Sequence, residues 1–142
     1  YLRDNPDAIP AAIEEILRRH ALSTVARCVN GDTEFGGVSL RDGDRVMLPT
    51  MLHGLDEARW DDPLAVKFDR NARDHLTFGN GTHRCPGAML ARAELRIFLE
   101  EWLKRIPDFS LAEGSVLSFE NGVVTGLKAL PLVWPVGKQE TA

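Results

Sequence analysis

Cys85 is the residue of this sequence best placed to do chemistry. It stands in Phe78-Gly-Asn-Gly-Thr-His-Arg-Cys-Pro-Gly87, a glycine-broken stretch that runs into a long helical pattern, and the chain has only one other cysteine, Cys28. Pro86 suits a first helical position and Gly87 permits close backbone approach, which puts the thiol near an N-cap. Unpaired amide hydrogens and the positive end of the helix dipole stabilise negative charge on sulfur there. His83 and Arg84 add positive potential. A buried, inert thiol is the commonest fate of a cysteine. The glycines, the aromatic Phe78 and the helix start argue for a working thiolate.

Three uses of a thiolate compete. A nucleophile needs a general base and an oxyanion site, and nothing in the sequence fixes His83 toward the sulfur. Zinc needs more sulfur or imidazole ligands than this segment offers. One thiolate does suffice as axial ligand of a haem iron, because the porphyrin brings the four equatorial nitrogens. Gly79, Gly81 and Gly87 would let a flat macrocycle lie against backbone.

The elements that must position this stretch are legible on both sides of it. Residues 4–20, DNPDAIPAAIEEILRRH, read as a helix with Asp7 as N-cap and Pro10 in the first turn. Ile9, Ile13, Ile16 and Leu17 form its apolar stripe. The pieces STVARCV, TEFGGVSL and RVMLPT follow, separated by Asn30-Gly31-Asp32, Gly36-Gly37 and Asp42-Gly43-Asp44. They predict a small antiparallel sheet. PTMLHGLDEARW holds one short helix. Residues 61–81 are irregular, and a long ordered loop in a compact domain is usually functional. A helix then runs from near Pro86 to Pro107, with Leu90, Ala93, Ile97, Trp102 and Leu103 facing the core and Arg92, Arg96, Glu100 and Lys104 facing water. In the tail, Asn121-Gly122 between apolar runs predicts a hairpin.

Composition bounds the rest. With 142 residues, 44% hydrophobic and 27% charged, the chain has the make-up of one globular domain. A net charge of −4 argues against a nucleic-acid partner. No apolar run approaches a membrane span. Two distant cysteines suggest neither a disulfide framework nor a zinc ribbon, and hence a reduced, cytoplasmic setting.

Phe78-x-x-Gly81-x-His83-x-Cys85-x-Gly87 resembles the haem-binding signature of the cytochrome P450 family, and Glu15-Ile-Leu-Arg18 resembles that family's Glu-x-x-Arg pair. The stretches EEILRR, HGLDEAR, EWLKRIPDFS and LKALPLVW extend the likeness over essentially the whole chain, nearest to bacterial camphor-type hydroxylases. The implied fold class is mainly α with small antiparallel β-sheets, residues 1–142 being the C-terminal part of the cytochrome P450 fold. The implied cofactor is haem b, with Cys85 as axial iron ligand.

By the same resemblance, Thr77, Phe78, Gly79, Pro86, Gly87 and Ala91 lie against the haem, and Arg27 and His83 partner its propionates. Val25 stands where the camphor-type pattern has an aspartate. Glu15, Arg18 and a loop arginine, Arg70 with Arg73 in reserve, form a structural charge network. Spacing alone does not separate Glu15–Arg18 from Glu14–Arg18 or Glu15–Arg19; the resemblance does. Ser23, Val123 and Val124 match substrate-lining positions, Ser23 replacing a valine. Pro86 lacks an N–H, leaving Gly87 and Ala88 as donors toward the sulfur.

The implied activity of the complete protein is O2-dependent hydroxylation of a small apolar, terpenoid-type substrate. Electrons would come from an iron–sulfur ferredoxin with its reductase, docked on Arg84, Arg92 and Arg96. The family's proton-delivery pair belongs to an upstream helix outside the resembled stretch. Two other readings stay open from sequence: a non-catalytic haem-binding electron-transfer or sensor protein, and a haem-free interaction domain.

Overall fold

The structure is a computed structural model, and residues 1–135 are described. A 3-10 turn, Pro6–Ala8, leads into helix α1, Ile9–Arg19. Asp7 falls inside that turn, and Ala8 is the N-cap without a side-chain bond. The expected cap is therefore displaced: Pro6 presets an earlier turn, which consumes Asp7 before α1 begins. Pro10 does sit in the first turn of α1, where its missing N–H costs nothing. Ile9, Ala12 and Ile13 are buried, and so are Glu15 and Arg18.

Residues 24–49 form two separate ladders rather than one sheet. Strand β1, Thr24–Cys28, pairs antiparallel with β4, Arg45–Pro49, with Arg27 opposite Val46. Between them β2, Thr33–Phe35, and β3, Val38–Leu40, form a hairpin. Gly36 and Gly37 both have positive φ, the primed turn that matches strand twist. Helix α2, Thr50–Gly54, follows, and residues 55–80 are irregular, covering all of the expected stretch 61–81 except Gly81, which opens a 3-10 turn, Gly81–His83.

Gly54 packs directly on α1: a Cβ there would overlap the Arg18 backbone carbonyl. Gly54→Ala should therefore lower the unfolding free energy by about 1–3 kcal/mol, the usual cost of overpacking, read as a lower urea midpoint. An unchanged midpoint would show that α2 slides away freely.

Helix α3 spans Ala88–Arg105 with Gly87 as its N-cap. Cys85 thus lies two residues before the cap, because a turn closed by the Ala88 amide on the Cys85 carbonyl (3.3 Å) precedes the helix. Of α3, only Ala88 is buried; Leu90 and Ile97, expected in the core, are 63% and 54% exposed. Periodicity identifies an apolar face but not an element to cover it, and none among the described residues does. At the far end of α3, Trp102 packs against Phe98 in a tilted contact and meets Phe109 and Trp134 edge to face.

Short strands close the chain. β5, Ser110–Leu111, pairs with β8, Leu132–Val133, and β6, Phe119–Glu120, with β7, Gly126–Leu127. The hairpin expected at Asn121-Gly122 forms, β6 pairing with β7, but its loop runs over residues 121–125 rather than two residues. The loop is drawn out instead toward β1: Thr24 N–H donates to the Val123 carbonyl and Thr125 N–H to the Leu22 carbonyl, each at 2.8 Å. Val124 is bridged to Ser23. Tertiary hydrogen bonds have outweighed the local turn preference.

Candidate functional site

A largely apolar groove of about 740 Å³ opens between the end of α1, strand β1, the cysteine loop and α3. Ile16, Leu17, Val25, Leu95 and Phe98 supply apolar wall. The loop contributes Thr77, Phe78 and Gly79, and α3 contributes Ala91. Cys85 and His83 line it as well, with Arg27 and Ser23 from the β1 side. Pro86 and Gly87 follow the thiol on the turn into α3, outside the groove lining. Val123 and Val124 are 73% and 61% exposed, next to Ser23 but beyond the wall.

The loop is held from three sides. Cys85 N–H donates to the Phe78 carbonyl (2.9 Å), closing the stretch on itself. Gly79 and Gly81 take positive φ within it, where a side chain would be strained. Thr77 Oγ1 donates to the Leu17 carbonyl (2.8 Å), tying the loop to α1. The Ala88 N–H, expected as a donor toward sulfur, is directed to the Cys85 carbonyl instead.

Behind the groove, Arg18 and Glu15 are fully buried and paired through two bonds, Nε to Oε2 at 2.7 Å and Nη2 to Oε1 at 2.8 Å. Arg18 also donates to the carbonyls of Gly54, Pro63 (2.9 Å) and Ala65 (3.0 Å). The Lys67 amide donates to Glu15 Oε1 (2.9 Å). Arg70 Nε lies 3.4 Å from that oxygen, while its other nitrogens reach the carbonyls of Asp61 and Asp62. One ion pair thus anchors residues 54–70 to α1. Arg73 is exposed and lines a separate polar hollow of about 440 Å³.

A second charge cluster was not legible in the sequence. Glu14 accepts two bonds from Arg92 (2.6 and 2.9 Å), and His75 Nε2 is 3.1 Å away. Arg92, expected on the wet side of α3 as a partner residue, is half-buried here and lies 4.8 Å over the Phe78 ring. Its charge is spent on Glu14. Arg84 and Arg96 remain exposed. The doublet Glu14-Glu15 was the available signal, but which glutamate meets which cation depends on elements far apart in the chain.

These groups make stability depend on pH. Burial pushes Glu15 up, but Arg18, the Lys67 amide and Arg70 outweigh it and hold the carboxyl below its ordinary value. Glu14 follows the same balance: burial pushes up, and Arg92 and His75 pull it lower. Burial holds His75 below its ordinary value against the pull of Glu14. Burial also lowers His20, aided by Arg19 and Arg18. In each case the unfolded chain binds protons at higher pH than the folded one, so stability falls on acidification. Two stages are expected in urea midpoints: a first decline below about pH 6.5 from the histidines and a steeper one below about 4.5 from the carboxylates. A midpoint flat from pH 7 to 4 would contradict this balance.

The residues present fit a haem. One thiol opens into an apolar groove, and a Cβ at Gly87 would sit 3.7 Å from Cys85 Sγ, so the backbone lies close to the sulfur. Among the described residues no group of three or more His, Cys, Asp and Glu side chains is poised to hold a metal. The donor set therefore suits a metal that arrives with its own equatorial nitrogens. Arg27 donates only to the adjacent Ala26 carbonyl (2.8 Å) and no carboxylate pairs with it among the described residues, so its charge faces the groove uncompensated.

A sequence model of the family described as Cytochrome P450 matches residues 8–128. The chain belongs to the cytochrome P450 family. The probable cytochrome P450 127A1 of Sinorhizobium fredii is 38% identical over 133 residues, covering 94% of this chain and 32% of that protein. A steroid C26-monooxygenase of Mycobacterium tuberculosis is 40% identical over 136 residues, covering 94% and 34%. The crystal structure of cytochrome P450 CYP101C1 superposes with a TM-score of 0.90 at 45% identity, covering 95% of this chain and 35% of that one. CYP101J2 does so at 0.88 and 44%, covering 95% and 34%. The chain spans about a third of the length of the curated relatives it matches. The expected fold class, mainly α with small antiparallel sheets, is that of this cytochrome P450 portion, and the family's cofactor is haem b. No helix among the described residues is long and apolar enough to cross a membrane.

Proposed function

We propose that this chain is the C-terminal, haem-binding part of a cytochrome P450 monooxygenase, with Cys85 as the axial thiolate of haem b. The observation that carries the reading is the lone thiol opening into the apolar groove beside Phe78 and Gly79. Cys85 would hold the haem there, and the chemistry the cofactor would supply is O2 activation for oxygen insertion into a C–H bond.

The chain's own residues bind and orient. Thr77, Phe78, Gly79 and Ala91 form the wall, and Pro86 and Gly87 carry the thiol into α3. Arg27 and His83, both lining the groove, would pair with the propionates, each in a charge-assisted contact. The Glu15–Arg18–Arg70 network holds the loop segment that brackets the groove. Ser23, Val123 and Val124 flank the substrate side; their proximity across the β1 bridge supports this. The apolar lining supports an apolar, terpenoid-type substrate. The steroid C26-monooxygenase relatives make sterol-like rings the first class to assay.

Electrons come from an iron–sulfur ferredoxin with its reductase, steered by the exposed Arg84 and Arg96. Arg92 contributes packing rather than attraction, since Glu14 neutralises it. The unpaired Cys28, and a ligand thiolate at Cys85 that must stay reduced, support a reducing, cytoplasmic setting. The reading is tested by reducing the full-length, haem-loaded protein under CO. A Soret band red-shifted from that of histidine-ligated haem is expected; a colourless protein, or a band typical of imidazole ligation, rejects it.

A further inference from the structure

His75 is buried, its side chain 1% exposed, at the junction of α1, α3 and the cysteine loop. Its ring nitrogens have different partners. The Thr77 amide donates to Nδ1 at 3.2 Å, and an amide can only donate, so Nδ1 holds the lone pair. The proton therefore resides on Nε2, directed at Glu14 Oε2 3.1 Å away. Glu14 is at the same time clamped by Arg92, whose guanidinium lies over Phe78. The His75 and Phe78 rings are 6.0 Å apart. The next links are Thr77 Oγ1 to Leu17, and Cys85 N–H to the Phe78 carbonyl.

We propose that His75 is a positioning residue: as a neutral imidazole it ties Glu14 on α1 to the Thr77 amide, and so holds Phe78 and the Cys85 turn against the groove. The neutral form is essential to this tie. A proton on Nδ1 would set two N–H donors facing each other 3.2 Å apart and cut the bond to the loop.

The surroundings favour neutrality. Burial, Arg92 and His53 all disfavour the imidazolium, and Glu14 alone favours it, with its charge already shared with Arg92. On the other sides stand Arg59, Arg73, Asp74 and Arg84, which line the same polar hollow; Asp74 is paired with Arg59. Cations thus outnumber free carboxylates around the ring. Acidification should release the loop before it unfolds the chain.

The spectroscopic consequence rests on the haem reading above, whereas the tautomer does not. In the full-length, haem-loaded protein under CO, the wild-type thiolate band should fade in a one-proton step before the carboxylates titrate. His75→Asn keeps an acceptor for the Thr77 amide and removes the titrating group. It should retain the band to lower pH, its midpoint shifted down by about one unit or more. His75→Leu has no acceptor and should lose much of the band at neutral pH. An Asn variant that follows the wild-type profile, or a Leu variant equal to Asn, overturns the proposal.

Nitrogen-15 NMR of the wild-type imidazole, with or without haem, decides if the variants do not fold. An Nε2–H tautomer is expected at neutral pH, and an imidazolium or Nδ1–H tautomer would overturn it. A wild-type protein lacking any thiolate band but showing the Nε2–H tautomer would reject the haem reading and leave the His75 tie standing.

Discussion

Replacing Cys85 with serine should remove the red-shifted ferrous–CO band expected of the full-length protein and weaken haem retention by about 100-fold or more. Losing an outer-shell partner already costs a metal site about 10- to 100-fold, and on the proposed reading this change removes the ligand itself. Serine is nearly the same size, so the turn closed by Cys85 N–H on the Phe78 carbonyl survives and the apoprotein keeps its stability. The parallel Cys28→Ser change is silent, because Cys28 lies exposed on β1 and does not line the groove. Haem titration and the CO difference spectrum measure both variants. A thiolate band that survives Cys85→Ser and disappears with Cys28→Ser would reassign the ligand.

Arg18→Ala is the substitution with the largest expected effect on stability, a loss of about 3–5 kcal/mol. Its side chain is fully buried, so the change leaves the Glu15 carboxylate uncompensated and deprives the carbonyls of Gly54, Pro63 and Ala65 of their donor. Whole-domain stabilities are only about 5–15 kcal/mol, so the variant should accumulate poorly and lack haem rather than turn over slowly. Glu15→Gln should cost less, since an amide oxygen can still accept from the Lys67 N–H. Urea unfolding of both singles and the double variant gives the coupling energy. A near-neutral Arg18→Ala would mean that water reaches the pair in solution.

Local patterns were readable where a short segment decides its own structure. α1, the Gly36-Gly37 hairpin and α2 are such cases. Elsewhere distant partners intervened. The Asn121-Gly122 hairpin formed, but with a five-residue loop, residues 121–125, because Val123 and Thr125 hydrogen-bond to Thr24 and Leu22. The α3 stripe carries an apolar pattern, yet Leu90 and Ile97 stay exposed among the described residues because nothing there packs on them.

The sequence by itself determined the chemistry on offer: a single thiol in a glycine-rich loop before a helix, and a Glu-x-x-Arg pair on one helix face. The thiol loop is set by residue type and short spacing; for the pair, spacing left Glu15–Arg18, Glu14–Arg18 and Glu15–Arg19 open, and the family resemblance chose the first. The partners of Glu14 were decided by tertiary structure alone. Adjacent glutamates on α1 point to different sides, so Glu15 meets Arg18 and Arg70 while Glu14 meets His75 and Arg92, up to 78 residues away. Spacing along a chain cannot encode that choice, because it follows from how α1, α3 and the cysteine loop pack around a desolvated charge that must find a partner.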